Sequence, residues 1–267
     1  MGETRKSASG AENEWTVTLK AFWHHDATLP QPWADIFGPL RRGSVDDLMV
    51  VGQCGQSIDA RIATPSGHSH YINGEAGLDH LHRLRAVVDA VVIGVGTAIA
   101  DDPQLTVRRV EGPSPARVII DPQGRLPAGA RALARDCVRR IVIIGASNRN
   151  ALRAGVETVA LPLQGGRIAP AAILGALAER GLRRILVEGG AETLSRFLAA
   201  RCLDRLHVLV APMILGAGRS SFSLPAPQTI TDALRVAFRA HVLGSDILLD
   251  CDLSAQRIPI GYAKLSR

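Results

Sequence analysis

The sequence predicts an α/β fold, a mixed and mostly parallel central sheet flanked by helices and ending in an antiparallel hairpin. Three observations carry the prediction. Apolar runs of strand length alternate with segments of helical periodicity from residue 48 onward. The run at 91–95 is apolar almost throughout, the pattern of a central strand covered on both faces. The last two runs, 234–243 and 246–253, are separated only by Gly244-Ser245, a loop that suits a hairpin turn.

Composition narrows the class. The chain has 267 residues, 46% of them hydrophobic, enough for a sizeable core in one large domain or two small ones. No run approaches the roughly 20 apolar residues that span a bilayer. The first residues are polar and show no charged-then-apolar leader, so a cytoplasmic protein is expected, without a membrane partner. Cys54, Cys137, Cys202 and Cys251 lie far apart with no C-x-x-C pair, which argues against a metal centre or a disulfide framework. The net charge is +6, but the arginines are scattered and do not alternate with aromatics. Small anionic ligands explain the excess better than nucleic acid does.

The elements follow in order. Residues 1–46 hold all three tryptophans, Trp15, Trp23 and Trp33. The first dozen residues read as disordered, and the remainder as an arm that packs on the main domain or on a second subunit. A strand is expected at 48–55, then a polar interruption at 56–64 that includes Asp59. Asn73 is the expected N-cap of a helix at 75–88. On that helix Leu78, Leu81, Leu84 and Val88 share one arc, and Arg85 falls inside it. An arginine on the core side needs an anionic ligand, or else a structural carboxylate or a route to solvent.

The strand at 91–95 runs into Gly94-Val95-Gly96, a partial G-x-G-x-x-G in which Ile99 replaces the third glycine and Asp121 is the acidic residue downstream. Asp102 precedes proline and is expected to be extended. Further strands are expected at 117–121, 140–145, 156–161, 184–188 and 204–211. Helices are expected at 128–135, at 169–180 with Gly181 closing it, and at 192–201. Residues 214–222 read as a polar loop, and the tail after Ser254 has no pattern.

One stretch organises the rest. The run Ile185-Leu186-Val187 ends at Glu188, and Gly189-Gly190 leads into the next helix. Open N–H groups at a helix start suit a phosphate or pyrophosphate, though paired glycines also serve as a plain turn. If the strands are parallel, this turn shares one rim with those at Gly94, Asp121 and Gly145. Ligands of such sheets bind along that rim.

Four segments form a set: Ser57-Ile58-Asp59-Ala60-Arg61, His80-Leu81-His82-Arg83-Leu84-Arg85-Ala86, the long string from Gly94 through Ala100-Asp101-Asp102-Pro103 to Arg108, and Leu186-Val187-Glu188-Gly189-Gly190. Together they resemble the reductase domain of bifunctional riboflavin-biosynthesis proteins, a branch of the dihydrofolate reductase-like fold. The resemblance covers roughly residues 48–253. It implies an arm at 1–46, a reductase domain at 47–255, a tail at 256–267, and a homodimer.

The resemblance also implies the chemistry. NADPH would reduce the ribosyl group of a small phosphorylated substrate, 5-amino-6-(5-phosphoribosylamino)uracil or the related diaminopyrimidinone, to ribityl. Ser69, Arg85, Leu105, Arg108 and Glu188 would contact the substrate, with Arg85 and Arg108 at its phosphate. Tyr71, Thr97, Asp101 and the turn Gly189, Gly190, Ala191, Glu192, Thr193, continuing to Arg196, would contact NADPH. Asp59 and Glu188 are the candidate catalytic residues, although Asp59 fits an Asx-turn equally well.

The chain departs from the family pattern at several positions. Ala60 stands where glycine is usual, Tyr71 where tryptophan is frequent, and Asn73 where threonine is usual. The deaminase half and its zinc signature are absent from this sequence. Two other readings stand beside the first: the same fold and cofactor acting on another pyrimidine or pteridine-like substrate, and a non-catalytic binding homologue with the arm as its contact surface. The surviving charged site positions speak against the last.

Overall fold

The computed structural model describes residues 4–24, 26–69, 72–148 and 154–261. Its centre is a nine-stranded sheet. In chain order the strands are β1 (Met49–Ser57), β2 (Ala90–Gly94), β3 (Ala116–Ile120), β4 (Arg140–Gly145), β5 (Glu157–Leu161), β6 (Arg184–Glu188), β7 (Arg205–Ala211), β8 (Ala237–Leu243) and β9 (Asp246–Asp252). Across the sheet the order is β8-β9-β7-β1-β6-β2-β3-β4-β5. The strands from β7 to β5 run parallel, and the β8–β9 hairpin pairs antiparallel on β7. The expected mixed, mostly parallel sheet is therefore present.

The helices are α1 (Thr4–Trp23), α2 (Trp33–Phe37), α3 (Glu75–Ala86), α4 (Val95–Asp101), α5 (Pro170–Ala178) and α6 (Ala191–Ala199). Branched residues dominate the inner strands, and their alternation divides the core into two layers. Val51, Val91, Ile93, Ile119, Val142 and Leu186 face one layer, which holds Leu84 of α3, Ala98 of α4 and the arm residues Trp15, Phe22, Trp33 and Phe37. Val50, Val92, Val118, Ile143 and Ile185 face the other, which holds Ile173 and Leu177 of α5 and Phe197 of α6.

Several expectations change. The first dozen residues do not stay irregular, because α1 begins at Thr4. Trp15, Thr18 and Phe22 recur at helical spacing and are buried, so the helix has one face to anchor it. Asn73 does not cap α3. Gly74 takes that position, and the Asp246 carboxylate accepts its N–H at 2.9 Å. The Asn73 amide instead donates to the Leu209 carbonyl. The helix expected at 128–135 is reduced to a single 3₁₀ turn, Arg131–Leu133. Its carbonyls are claimed from outside, since Arg117 donates to Ala134 and Arg140 to Leu133 and Ala134. Asp102 is left-handed rather than extended, at φ 38°. It ends α4, and its carboxylate accepts the Arg131 N–H at 2.7 Å. The loop at 214–222 contains a short strand, Arg219–Ser220, paired with Arg61–Ala63.

Candidate functional site

Because the strands are parallel, the turns after Gly94, Ile120, Gly145 and Glu188 share one edge of the sheet. Two cavities open there, of about 720 and about 670 Å³. They meet at Gly96, Thr97, Gly190, Ala191 and Arg219, so they form one cleft with two chambers.

The junction is built from glycine. Gly189 has φ +127°, a conformation that side chains rarely adopt. Gly190 donates its N–H to Thr97 Oγ1 at 2.9 Å. A Cβ on Gly190 would fall 2.7 Å from that same oxygen, so the turn approaches α4 as closely as only glycine allows. Thr193 closes on Gly94 in the same way, locking the start of α6 against the end of β2. The first chamber thus begins at a helix N-terminus with free N–H groups. Farther along it stand Arg125, Arg167, Arg196 and Arg219, with Glu192 as the carboxylate among them. Arg167 pairs with Glu192 at 3.1 Å, and Arg196 donates to the Ile168 carbonyl at 2.6 Å.

The second chamber is lined by Ser69, Asp101, Leu105, Glu188 and Gln53, among others. Strand register places Gln53 between Glu188 on β6 and His207 on β7. His207 in turn lies opposite Asp250 on β9. One face of the sheet therefore carries a polar row, Asp250, His207, Gln53 and Glu188. His207 Nδ1 lies 3.0 Å from His80 Nε2 of α3, and Arg205 forks onto Asp250 at 3.0 and 2.6 Å. Burial holds the His80 imidazole well below the usual histidine range, so this ring is neutral.

Arg85 meets Glu188 rather than open solvent. Its Nε donates to Oε2 at 2.9 Å and its Nη2 donates to Oε1, a two-pronged pair. Nη1 donates to the Thr106 carbonyl at 3.1 Å. Leu105, buried at φ +57°, turns the chain so that this carbonyl is presented. Arg108 is exposed beside it, donating to Thr106 Oγ1 at 2.8 Å. His82 Nδ1 accepts the Arg108 backbone N–H at 2.9 Å. Burial, with the charges of Arg85, Arg108 and Arg109, pushes His82 down to about 3. His82 is thus held among positive charges.

The structure brings Ser69, Leu105 and Glu188 together in one chamber, and Ala191, Glu192 and Thr193 in the other, with Thr97 and Gly190 between them. Asp101 and Gly189 lie on the substrate side of that junction. Tyr71 lies outside the described residues. Asp59 lines neither chamber. Its carboxylate accepts from Ser57 Oγ and from the N–H groups of Leu215 and Gly216, and these bonds hold it at about 2. The geometry is that of a turn closure, so the expectation of an acid at Asp59 is not supported. Asp121 is likewise a turn residue, fully buried and accepting the Arg125 and Leu126 N–H groups at 2.9 Å.

Sequence reasoning missed Gln53 and three arginines of the first chamber, Arg125, Arg167 and Arg219, while Arg196 closed the turn it had named. Gln53 carried a signal, being the polar residue on the inward phase that Met49 and Val51 set. Arg125, Arg167 and Arg219 gave none, because loops carry no periodicity to read.

A cleft with a glycine turn at the carboxyl edge of a parallel sheet is the ligand site of an α/β protein. The chain belongs to the RibD C-terminal domain family, whose description matches residues 49–249. A 2,5-diamino-6-ribosylamino-4(3H)-pyrimidinone 5′-phosphate reductase of Methanothermobacter thermautotrophicus is 33% identical over 214 residues, covering 75% of this chain and 96% of that protein. The riboflavin biosynthesis protein RibD of Aquifex aeolicus is 35% identical over 197 residues, covering 73% of this chain and 54% of that protein. The chain therefore spans about half of such bifunctional relatives and nearly all of the archaeal reductase. Among solved structures, the bifunctional deaminase/reductase of Thermotoga maritima superposes with TM-score 0.68 at 27% identity, over 77% of this chain and 56% of that one. The riboflavin biosynthesis reductase of Saccharomyces cerevisiae has the same fold, with TM-score 0.65 at 21% identity over 82% and 99% of the two chains. The expected fold family is thereby established. Among the described residues no helix is long and apolar enough to cross a membrane.

Proposed function

We propose that the chain is an NADPH-dependent reductase that converts the ribosyl group of a phosphorylated ribosylaminopyrimidine to a ribityl chain. The observation that carries this reading is the junction at Thr97 and Gly190, which sets a basic chamber against one lined by Glu188, the partner of Arg85. The glycine turn fits a dinucleotide, since it brings the start of α6, with its N–H groups, to the wall of the first chamber. A bound nicotinamide supplies the hydride.

The protein's own share is binding and orientation. The N–H groups at the start of α6 and the arginines of the first chamber hold the dinucleotide's phosphates. Ser69, Leu105 and Glu188 line the substrate, and Glu188 accepts hydrogen bonds from it while Arg85 fixes the carboxylate in place. Arg108, with the positive field of Arg85 behind it, attracts the substrate phosphate. We assign proton delivery to no side chain, because solvent water suffices.

The same reading includes a cytoplasmic homodimer. The outer strand β8 presents Phe238 and Val242 to solvent, 60% and 79% exposed, and an unpaired apolar edge is a ready interface. Sedimentation at micromolar concentration distinguishes monomer from dimer.

The test of the activity is direct. Purified protein is mixed with NADPH and either 5-amino-6-(5-phosphoribosylamino)uracil or its 2,5-diamino counterpart, and nicotinamide absorbance is followed. Oxidation with one of them supports the reading and selects the substrate. NADPH binding without oxidation of either moves the activity to another pyrimidine or pteridine-like compound.

A further inference from the structure

Residues 14–40 precede the stretch matched to the family. Their side chains reach the loop that carries Arg108 and the helix that carries Arg85, by two routes.

The first route is the loop from Leu105 to Ser114, which carries Thr106 and Arg108. It has no regular structure of its own. Near its start it is tied by Val107 N–H to Ser114 Oγ at 3.0 Å and by Arg108 N–H to His82. Its tip is held by the arm. Trp15 Nε1 donates to the Glu111 carbonyl at 2.8 Å, and Thr16 Oγ1 donates to the Glu111 carboxylate at 2.5 Å. Gly112, at φ +144°, is wedged between α3 and α1, where a Cβ would fall 2.5 Å from Ala86 Cβ and 3.3 Å from Leu19 Cδ2. The second route is α3 itself. The Arg83 guanidinium lies 4.6 Å from the Trp33 ring centre and 5.6 Å from that of Trp15, two residues from Arg85.

We propose that the N-terminal arm is a positioning element for the substrate phosphate, with Trp15 and Thr16 as positioning residues that fix the Arg108 loop through Glu111. The inference rests on the reading that Arg108 holds that phosphate. A loop already ordered by the arm loses little freedom when the phosphate arrives; a loose one must be ordered by the ligand, which weakens binding. The arm therefore acts on substrate affinity and leaves the dinucleotide chamber alone.

Removing the whole arm would strip Trp15, Phe22, Trp33 and Phe37 from their core layer and uncover the apolar residues beneath, so point variants test the idea. Trp15→Phe keeps the ring against Arg83 and removes the N–H to Glu111. Thr16→Val removes the hydroxyl. Glu111→Ala removes the exposed partner from the loop side. The measurements are kcat and KM with the phosphorylated ribosylaminopyrimidine and with its dephosphorylated form, NADPH affinity, and Tm. The double variant Trp15→Phe/Thr16→Val is expected to raise KM for the phosphorylated substrate about five- to tenfold, the loss of roughly one net hydrogen bond. Its kcat and NADPH affinity stay unchanged, the preference for phosphate falls by the same factor, and Thr16→Ser restores part of it. Glu111→Ala is expected to raise KM in the same direction. An unchanged phosphate preference in these variants, with or without a lower Tm, overturns the proposal and leaves the arm a structural element only. A wild-type enzyme with no phosphate preference overturns the underlying reading of Arg108, a distinct result visible before any variant is made.

Discussion

Arg85 and Glu188 form a two-pronged ion pair, one from helix α3 and the other from the end of strand β6, where Glu188 lines the second chamber. Their side chains are only 6% and 13% exposed. A buried pair of this kind is held by geometry, and removing one member strands the other's charge. Arg85→Ala is therefore expected to destabilise the protein by about 3–5 kcal/mol and to impair use of the substrate far more than NADPH binding. The double variant Arg85→Met/Glu188→Leu is expected to recover most of that stability and to remain inactive. Denaturant unfolding and steady-state rates separate the two effects. A stable but active double variant would remove the pair from the site.

Thr97 and the glycine turn make a second prediction, on the cofactor side. Thr97→Val removes the acceptor of the Gly190 N–H and is expected to weaken NADPH about five- to tenfold, with substrate KM changed less than about twofold. Gly189→Ala is expected to be worse, because its φ of +127° is closed to a side chain. Fluorescence quenching by the dinucleotide measures both. An NADPH affinity unchanged by Gly189→Ala would mean that the pyrophosphate lies elsewhere.

The glycine turn was legible in the sequence because strand, carboxylate, glycine pair and helix follow one another within a few residues. Arg85 was legible as an anomaly on its helix, but its partner was not, since 103 residues separate it from Glu188 and only parallel pairing brings them together. The arm's packing was legible from its tryptophans, whereas the extent of α1 was not, because its first turns have no apolar stripe. The failed helix at 128–135 shows the limit from the other side. Its alanines favour helix, but Ala130 and Ala134 sit at ψ 132° and 138°, outside the helical region, and leave room for a single turn between them.

Asp59 tests the difference between motif and geometry. Its carboxylate closes the turn to Leu215 and Gly216 and lines neither chamber. Asp59→Asn keeps one acceptor and most of the turn, so kcat is expected to stay within about threefold of wild type, as for loss of one modest hydrogen bond. The pH–rate profile should be unmoved. A loss of several orders of magnitude at full NADPH affinity would return Asp59 to the chemistry.

Ala60, in the same turn, occupies a backbone conformation that favours glycine. Its φ is +58°, a left-handed conformation that costs a residue with a Cβ roughly 1–2 kcal/mol. Ala60→Gly relieves this strain but loosens the unfolded chain. The net expectation is a gain of about 0.5–1 kcal/mol, or a rise in Tm of a few degrees. Differential scanning calorimetry decides it, and a lower Tm would show that the alanine methyl makes a contact worth more than the strain.

His82 gives the pH dependence. Its folded value is pushed from 6.5 down to about 3 by burial and by the arginines around it, so the folded state holds this ring neutral. Between these two values the unfolded chain binds a proton that the folded chain refuses, and stability must rise with pH. Read in the other direction, stability is complete above about pH 6.5 and is lost as the pH falls toward 3. Neutral His80, fully buried against His207, adds to the same limb. Ordinary carboxylates titrate below about pH 4.5, so the interval from about 6.5 to 5 isolates the histidines. His82→Asn keeps an acceptor for the Arg108 N–H and removes the titration. It is expected to flatten the stability slope in that interval by up to about 1.4 kcal/mol per pH unit. Urea unfolding at pH 5.0, 5.5, 6.0 and 6.5 on both proteins measures it. Parallel slopes would mean that His82 is already protonated in the folded protein, despite its burial and the arginines around it.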